Sequence, residues 1–507
     1  MKKITTRGLT LITMLLLMST PWVCLAQTDG EDIVIGQYRV VHSDILDEDR
    51  PLYIHLPEEY EDTQLRYPVL YLLWVDLYNY FTDATMVTEK LGRTGEIPPV
   101  IIVGVANTNR YRDLLPVRTG PRRESGGADT FLQCLEQEII PFIDRTYRTN
   151  DFRILAGPQA AAVFSLHALI SRPELFQAII CENPFMNPEN AKVLFPRAET
   201  FFKETATLPN YLYIGCETNE RPADLDYARR LAALLQDHKP AGFRFTLDLQ
   251  EPSGYFIAPL PLRDSLRALF PGHKPPDDFQ AALAADVQEY YERLSVEYGF
   301  TVNPPEHILA FEGDKLGQRR LVREAMALFE YQLTLYPRSL NALWRLGELC
   351  RGLGEFEKAR DYYKQFLAIR DTDAAMIRQR LGQVERIIDA SAAYRVERAI
   401  RNDGLAAGLN TFREIRADTD SGLYIDEAEF NALGYRLLAE DRTANALAIF
   451  QLNTELHPAS ANAHDSLAEA YMKSGDNENA VAHYRKSLAL NPENANAREM
   501  LKKLEKK

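Results

Sequence analysis

The residues that could act as a nucleophile, a general base or a metal ligand are few and scattered in this chain of 507 residues. Of its nine histidines, His42 and His55 fall on strand-like segments, and His167 falls in an apolar helical stretch where core packing is expected. No histidine lies between His238 and His273, which occupy polar segments and are expected to be solvated. Spacing alone therefore places no histidine beside a nucleophile.

The cysteines and serines add no clear site. Apart from Cys24 near the N-terminus, the cysteines are Cys134, Cys181, Cys216 and Cys350. They form no CxxC pair and have no histidine at ligand spacing, so we expect neither a metal site nor another cofactor. Most of them lie in apolar stretches that are typical of buried thiols. One disulfide is still an alternative in an oxidising compartment, and the sequence does not determine which cysteines would pair. Ser125 lies in a Ser-Gly-Gly loop, and Ser165 in a helix.

The N-terminus has the layout of a signal peptide. Three basic residues within the first seven positions precede an apolar stretch from Leu9 to Met18, and Cys24-Leu25-Ala26 follows. This order predicts that residues 1–26 are a signal peptide cleaved before Gln27, and that the protein is exported to the periplasm or secreted. The alternative is an uncleaved membrane anchor, for which the apolar core is short.

The composition is that of a folded, acidic protein. Hydrophobic residues make up 46% of the chain and charged residues 26%, which argues against extended disorder. The net charge of -14 gives no reason to expect nucleic acid or an anionic membrane as a partner. No segment after the signal is long and apolar enough to span a membrane. The length indicates more than one domain.

Short apolar runs alternate with helical stretches up to about residue 271. The runs predicted to be strands lie at 67–73, 99–104, 152–156, 177–181 and 211–215, and the clearest helices at 130–147, 160–171 and 224–236. An alternating segment at 38–56 predicts an antiparallel hairpin at a sheet edge. This α/β pattern predicts a mostly parallel sheet flanked by helices over residues 27–271.

The rest of the chain is predicted to be all-α, with a repeat of 34 residues. A linker and a helix are expected at 272–305. In the region 306–507, a small residue, an alanine, an aromatic residue and a helix-ending residue recur in phase, at Gly313, Ala325, Phe329 and Pro337, at Gly347, Ala359, Tyr363 and Asp371, at Gly434, Ala446, Phe450 and Pro458, and at Ala468, Ala480, Tyr484 and Pro492.

This spacing is the tetratricopeptide pattern, in which small residues let paired helices approach closely. Residues 372–427 are expected to hold one or two degenerate repeats, and residues 494–506 a polar capping helix. Such a solenoid predicts a protein or peptide partner on the repeat surface.

Several segments of the first region resemble the putative-esterase family of α/β-hydrolases, which includes enterochelin esterases and S-formylglutathione hydrolases. The segments are YPVLYLL at 67–73, RYRDLLP at 110–116, SGGADTF at 125–131, EIIPFIDRTYR at 138–148 and ALISRPELF at 168–176. They occur in the family's order over roughly residues 35–271. The resemblance implies an α/β-hydrolase fold, a catalytic triad and a hydrolase pocket able to hold a small-molecule ligand.

The triad implied by the resemblance is not retained. The family's Gly-x-Ser-x-Gly turn is here Gly157-Pro-Gln-Ala-Ala161, so that Gln159 replaces the serine, and a carboxamide cannot act as the nucleophile. Without a nucleophile to justify its strain, this turn is free to relax. The histidine position falls on Tyr255, and Glu217 can occupy the position of the acid. Trp74 and Val75 replace an Asp-Gly pair at the pocket rim.

The leading hypothesis is therefore an exported, esterase-like protein without catalytic activity that acts as a binding or scaffold protein through its repeats. The alternative is an active ester hydrolase with a relocated nucleophile, such as Ser125 or Ser253. In a third hypothesis the repeats carry the whole function, and the first domain is a spacer.

Overall fold

A computed structural model describes residues 34–75, 79–118, 125–251, 259–418 and 420–505. The predicted signal peptide therefore lies outside the described residues, as do Ser253 and Tyr255. No helix in the described part is both long and apolar enough to cross a membrane.

Eight strands form one sheet in the order β1-β2-β4-β3-β5-β6-β7-β8. Their bounds are Gln37–Ser43 (β1), Glu48–His55 (β2), Tyr67–Leu73 (β3), Ile101–Val105 (β4), Thr149–Pro158 (β5), Ala178–Glu182 (β6), Tyr211–Glu217 (β7) and Arg244–Gln250 (β8). β1 pairs with β2 and β2 with β4 in antiparallel orientation, while the remaining pairs are parallel. The predicted edge hairpin and parallel sheet are confirmed.

Eight helices belong to the sheet domain in its described part. They are Tyr80–Arg93 (α1), Arg110–Leu114 (α2), Ala128–Cys134 (α3), Ile140–Thr146 (α4), Ala160–Ser171 (α5), Pro188–Glu204 (α6), Pro222–Asp237 (α7) and Pro259–Leu269 (α8). A short π-helical turn, Leu135–Ile139, joins α3 to α4. Helix α5 follows the central strand β5 and is buried on all sides from Ala160 to Leu169, as its apolar sequence requires.

The helical region holds thirteen further helices in its described part. They are Ala284–Tyr298 (α9), Glu306–Gln318 (α10), Val322–Leu335 (α11), Leu340–Gly352 (α12), Phe356–Ile369 (α13), Ala375–Ala390 (α14), Ala392–Asp403 (α15), Leu405–Ala417 (α16), Glu427–Ala439 (α17), Thr443–Leu456 (α18), Ala461–Ser474 (α19), Asn477–Leu490 (α20) and Ala495–Leu504 (α21). The α/β-hydrolase fold followed by a helical solenoid is thus confirmed.

The predicted close approach of paired helices is visible at each repeat glycine. An added Cβ at Gly313 would lie 2.7 Å from the Phe329 ring, and one at Gly347 would lie 2.4 Å from the Tyr363 ring. These distances are far below van der Waals contact. The aromatic side chain of the second helix therefore occupies the space that a side chain on the first helix would need.

A Gly347→Ala substitution in α12 is expected to lower the free energy of unfolding by about 1–3 kcal/mol, because the new methyl group must displace the Tyr363 ring. Gly382→Ala in α14 is the matched control, since no atom lies within 4 Å of its added Cβ. The control should be stabilised by up to about 1 kcal/mol through helix propensity. Urea unfolding followed by circular dichroism measures both changes, and equal effects would contradict the packing argument.

The two regions share one hydrophobic core. One face of the sheet packs on α3 and α5 to α7. The opposite face, which includes Leu70 and Ile154, belongs to a continuous cluster that extends through Leu266 of α8 and Tyr291 of α9 to Tyr363 of α13. The first repeats therefore help to cover the sheet and are not attached to it only by a flexible linker.

The linker residue His273 is part of this shared core, and the expectation that it is solvated is wrong. Its side chain is fully buried, and its Nδ1 donates a hydrogen bond to the Gly95 carbonyl oxygen at 2.8 Å. Burial lowers the pKa of His273 to about 4, so it is neutral near pH 7. The polar neighbours in sequence suggested that the ring is solvated, but Tyr291 of α9 packs against it with 5.8 Å between the ring centres.

Candidate active site

The turn between β5 and α5 retains the geometry of a nucleophile elbow. Gln159 lies at its tip with φ 53° and ψ -113°, a conformation that non-glycine residues rarely adopt. A Cβ added to Gly157 would lie 2.5 Å from the Ala161 Cβ, so the chain crosses itself tightly on either side of the tip. The turn has therefore not relaxed, although its tip carries a carboxamide.

Backbone hydrogen bonds hold the strained residue in place. The Gln159 N–H donates to the Glu182 carbonyl oxygen on the neighbouring strand at 2.9 Å. The Gln159 carbonyl oxygen accepts from the N–H groups of Val163 and Phe185, each at 3.2 Å. Strain of about 1–3 kcal/mol persists only where surrounding structure determines the conformation in this way.

The rim residue Trp74 also adopts a left-handed conformation. It follows β3 with φ 68°, in a position where the resembling family has a glycine-containing pair. Its side chain is buried, its Nε1 has no hydrogen-bond partner in the described part of the chain, and the Arg110 guanidinium lies 5.2 Å from the ring centre. The tryptophan belongs to the same hydrophobic cluster as Ala160 and Ala161, the first residues after the elbow.

Glu217 lies on the same edge of the sheet as Gln159. It is the last residue of β7, and its backbone N–H donates to the Asn183 side-chain oxygen at 2.9 Å. Asn183 itself follows β6 with φ 44°. Because β5, β6 and β7 are parallel neighbours, their carboxyl ends bring the elbow and this glutamate to one edge. Their assignment as vestigial triad positions stays a prediction.

Tyr255 and Ser253 lie in the segment 252–258, outside the described residues, so the position predicted for the missing histidine has no structural description. Among the described residues, the histidine side chains offer no replacement base that is hydrogen-bonded to a hydroxyl group. In the described part, the hydrogen-bond partners of the histidine side chains are carboxylates, backbone carbonyl oxygens or another histidine. The pairs are His42 with Asp49, His55 with Glu89 and the Ile35 carbonyl, His167 with Asp129, His273 with the Gly95 carbonyl, and His464 with His483 and the Pro458 carbonyl.

The cysteines are structural. All four described cysteines are free and buried, so the predicted burial is confirmed and none forms a disulfide in this part of the chain. Within the described residues, no group of three or more histidine, cysteine, aspartate or glutamate side chains could hold a metal ion.

One ionisable residue beside the elbow was missed by sequence reasoning. Glu182 ends β6, is 2% exposed, and accepts a hydrogen bond from the Tyr80 hydroxyl at 2.9 Å. Burial raises the pKa of Glu182 to about 8, so the carboxyl group is protonated at neutral pH. The predicted strand stopped at Cys181. The sequence could have indicated this residue, because a glutamate directly follows the apolar run and the carboxyl ends of parallel strands meet at the edge of the sheet where sites form.

Glu182 should make stability depend on pH. The folded protein keeps its proton up to about pH 8, whereas an unfolded glutamate loses it near 4.5. The free energy of unfolding should therefore fall by roughly 3–5 kcal/mol as pH rises through this window, and Glu182→Gln should remove that fall. Urea unfolding at several pH values measures it, with the exposed Glu174→Gln as control. An unchanged pH profile in Glu182→Gln would refute the assignment.

Comparisons with known proteins agree with this architecture. Residues 43–221 match the model of the family described as Putative esterase, and residues 340–373 and 461–494 match tetratricopeptide repeat models. The two matched repeats begin at the same residues as α12 and α19. These matches confirm the resemblance identified from the sequence motifs and the repeat period.

One of the curated relatives is an esterase. The chain is 28% identical over 137 residues to the ferri-bacillibactin esterase BesA of Bacillus subtilis, covering 23% of this chain and 47% of that protein. It is 26% identical over 147 residues to the uncharacterized protein YjcH of the same organism, covering 28% and 58%. The chain thus spans about half the length of these curated relatives.

A solved structure extends the similarity. An IroE-like serine hydrolase from Shewanella oneidensis matches with a TM-score of 0.51 and 25% identity, covering 59% of this chain and 98% of that chain. The first region of this protein is accordingly an esterase-like α/β-hydrolase domain, and tetratricopeptide repeats follow it.

Proposed function

We propose that this protein is an exported, catalytically silent member of the esterase-like hydrolases that binds a protein or peptide partner through its helical repeats. The observation that carries the proposal is Gln159 at the tip of the elbow. Acyl transfer needs a hydroxyl or thiol that can lose its proton and attack a carbonyl carbon. A carboxamide at this point supplies neither.

The surroundings of the tip support the same conclusion. A working serine needs a base within about 3.2 Å, and the histidines described above bind carboxylates, carbonyls or each other. Tyr255 at the expected position of the base is a phenol, whose ordinary pKa near 10 makes it a poor base at neutral pH. Losing both nucleophile and base typically costs several orders of magnitude in rate.

The repeats supply the proposed binding activity. Tetratricopeptide repeats stack helix pairs into a curved surface, and such surfaces bind extended or helical segments of other proteins. Two smaller hydrophobic clusters, separate from the core shared with the sheet, hold the distal helices α17 to α21, and the first of them also includes residues of α15 and α16. This distal part is therefore the region that we expect to present a partner-binding surface.

The test of catalytic silence uses the mature chain from Gln27 onwards. We expect no labelling by a fluorophosphonate probe and no hydrolysis of short-chain aryl esters above a heat-denatured control. A known serine esterase assayed in parallel verifies the probe. Stoichiometric labelling at any serine would overturn the proposal and support the relocated-nucleophile alternative, with peptide mapping to identify the residue.

The binding and export parts need separate measurements. Charge-reversing changes on the exposed face of the distal repeats should abolish crosslinking to a partner in cells without lowering thermal stability. N-terminal sequencing of the protein from cell fractions should give Gln27 as the first residue of an exported form. A cytoplasmic protein that retains Met1 would contradict the proposed export.

A second candidate function is ester hydrolysis, favoured by the similarity to a ferri-bacillibactin esterase and to an IroE-like serine hydrolase. If the pocket still binds a related ligand without cleaving it, ferri-bacillibactin is the ligand to test. Quenching of tryptophan fluorescence by this ligand, without release of hydrolysed fragments, would support a binding remnant.

A further inference from the structure

An open cleft of about 410 Å³ lies at the boundary between the hydrolase domain and the first repeat. Glu58 and Glu59, which follow β2, line one side together with α1. Glu306 at the start of α10 and Tyr336 after α11 line the other side. A second cavity of about 290 Å³ also touches Glu59, Glu306 and Tyr336. Both regions of the chain therefore place carboxyl groups at this boundary, which we call the interdomain cleft.

On the hydrolase side, the neighbours of Glu59 have cationic partners. Glu58 pairs with Arg93 of α1 at 2.5 Å. Asp62 pairs across the boundary with Arg338 at 3.2 Å. Within the described residues, Glu59 makes no ion pair or hydrogen bond to another side chain, although it lies between these two paired acids in sequence.

The remaining acids of the cleft are also partnered. Glu89 of α1 lies 2.9 Å from His55 Nε2, and Glu306 accepts a hydrogen bond from Gln332 at 3.4 Å. Glu59 is thus the carboxyl group of the interdomain cleft that no cation or side-chain amide neutralises in the described part. It is only partly exposed, so water compensates its charge incompletely.

Burial raises the pKa of Glu59 to about 7. A hydrogen bond from the backbone of Glu59 itself opposes this rise, and the negative charges of Glu89, Glu58 and Glu306 add to it. The other titratable groups facing the cleft behave differently. Burial and the charge of Lys274 lower the pKa of His307, so that ring is neutral near pH 7.

Two further groups face the cleft. Burial raises the pKa of Tyr336 well above 10, so its phenol is neutral throughout the range considered. Burial lowers the pKa of His55, whereas its hydrogen bond to Glu89 raises it, and on balance the pKa lies above its ordinary value. His55 is therefore, besides Glu59, a group of the cleft that can titrate near neutral pH.

We propose that the interdomain cleft is a pH-sensitive contact, in which loss of the proton from Glu59 places an unneutralised charge opposite Glu306 and loosens the packing of the first repeat on the hydrolase domain. In mildly acidic solution Glu59 is neutral, and the contact is tight. Above neutral pH the two regions carry facing negative charges across the cleft. The shared core keeps them together, so the change is a local loosening at α10 and at the 57–62 segment.

Hydrogen–deuterium exchange of the full chain at about pH 6 and about pH 8 tests this proposal, after correction for intrinsic exchange. Protection of α10 should fall about three- to tenfold at the higher pH, since one pKa unit corresponds to tenfold and solvent in the cleft screens part of the effect. Glu59→Gln should abolish the fall. Glu58→Gln removes one of the neighbouring charges but keeps the Glu59 carboxyl group, so it should retain most of the fall.

Glu59→Met provides a second neutral variant in case the glutamine disturbs the fold, and circular dichroism verifies both. Wild-type protection that does not change between the two pH values would overturn the proposal. A fall that persists in both neutral variants would also overturn it and would assign the titration to His55. Neither result depends on whether the hydrolase domain is catalytically silent.

Discussion

A Gln159→Ser, Tyr255→His double variant is expected to hydrolyse a short-chain aryl ester at least about 100-fold faster than the wild-type protein. The elbow already holds its tip residue at φ 53° and ψ -113°, so a serine placed there would be presented without rebuilding the turn. General-base assistance contributes about 10²–10⁴-fold, and it requires nucleophile and base together. Either single variant should therefore remain near the wild-type rate, because residues that act as a unit are not additive.

Steady-state kinetics and fluorophosphonate labelling of the four proteins measure this effect. The matched control is Gln159→Asn combined with Tyr255→His, which introduces the base but keeps a carboxamide at the tip. If the double variant folds but neither turns over substrate nor reacts with the probe, the inferred working geometry of the elbow is wrong. Adding Trp74→Gly should then show whether the buried indole at the rim is the obstruction.

An Asp113→Ala variant is expected to lose about 3–5 kcal/mol of unfolding free energy. Asp113 and Arg50 are both fully buried, and their side chains meet at 2.8 Å. Asp113 also accepts hydrogen bonds from Arg112 at 2.8 Å and Asn107 at 3.1 Å. Removing the carboxylate leaves the buried Arg50 guanidinium with Glu48 as its remaining carboxylate partner, so its charge is only partly compensated, which is the costly way to break a buried ion pair.

Urea unfolding measures this loss, and Glu199→Ala is the control because its pair with Lys203 is exposed on α6. That surface change should cost less than about 1 kcal/mol. The double variant Arg50→Met, Asp113→Leu should lose less than the sum of the single changes, since no buried charge is left alone. Equal losses for Asp113→Ala and Glu199→Ala would show that the buried network does not stabilise the fold.

The sequence predicted the elements whose signals are local. The strand YPVLYLL at 67–73 is buried at every position, as a continuous apolar run requires, and its predicted bounds are those of β3. The predicted capping helix is α21, which begins after the N-cap residue Asn494. The degenerate segment 372–427 contains α14, α15 and α16, which is consistent with one to two worn repeats.

Elements with weaker local signals were missed. Strand β8 is half-exposed, so it lacks a continuous apolar run. Helix α6 contains Pro196, which argues against a helix when propensity is considered alone. In both cases packing against neighbouring elements stabilises the strand or helix, and the local sequence pattern does not indicate it.

By itself, the sequence determined the α/β class of the first domain and the 34-residue period of the second, and it predicted the loss of serine and histidine at the motif positions of a resembling family. These properties depend on residue type and spacing along the chain. The tertiary structure decided that the elbow stays strained around Gln159, that burial beside it raises the pKa of Glu182, and that Glu59 lines the same cleft as Glu306 with no side-chain partner among the described residues. Such properties depend on burial and on charges brought together from distant positions, and no local pattern encodes them.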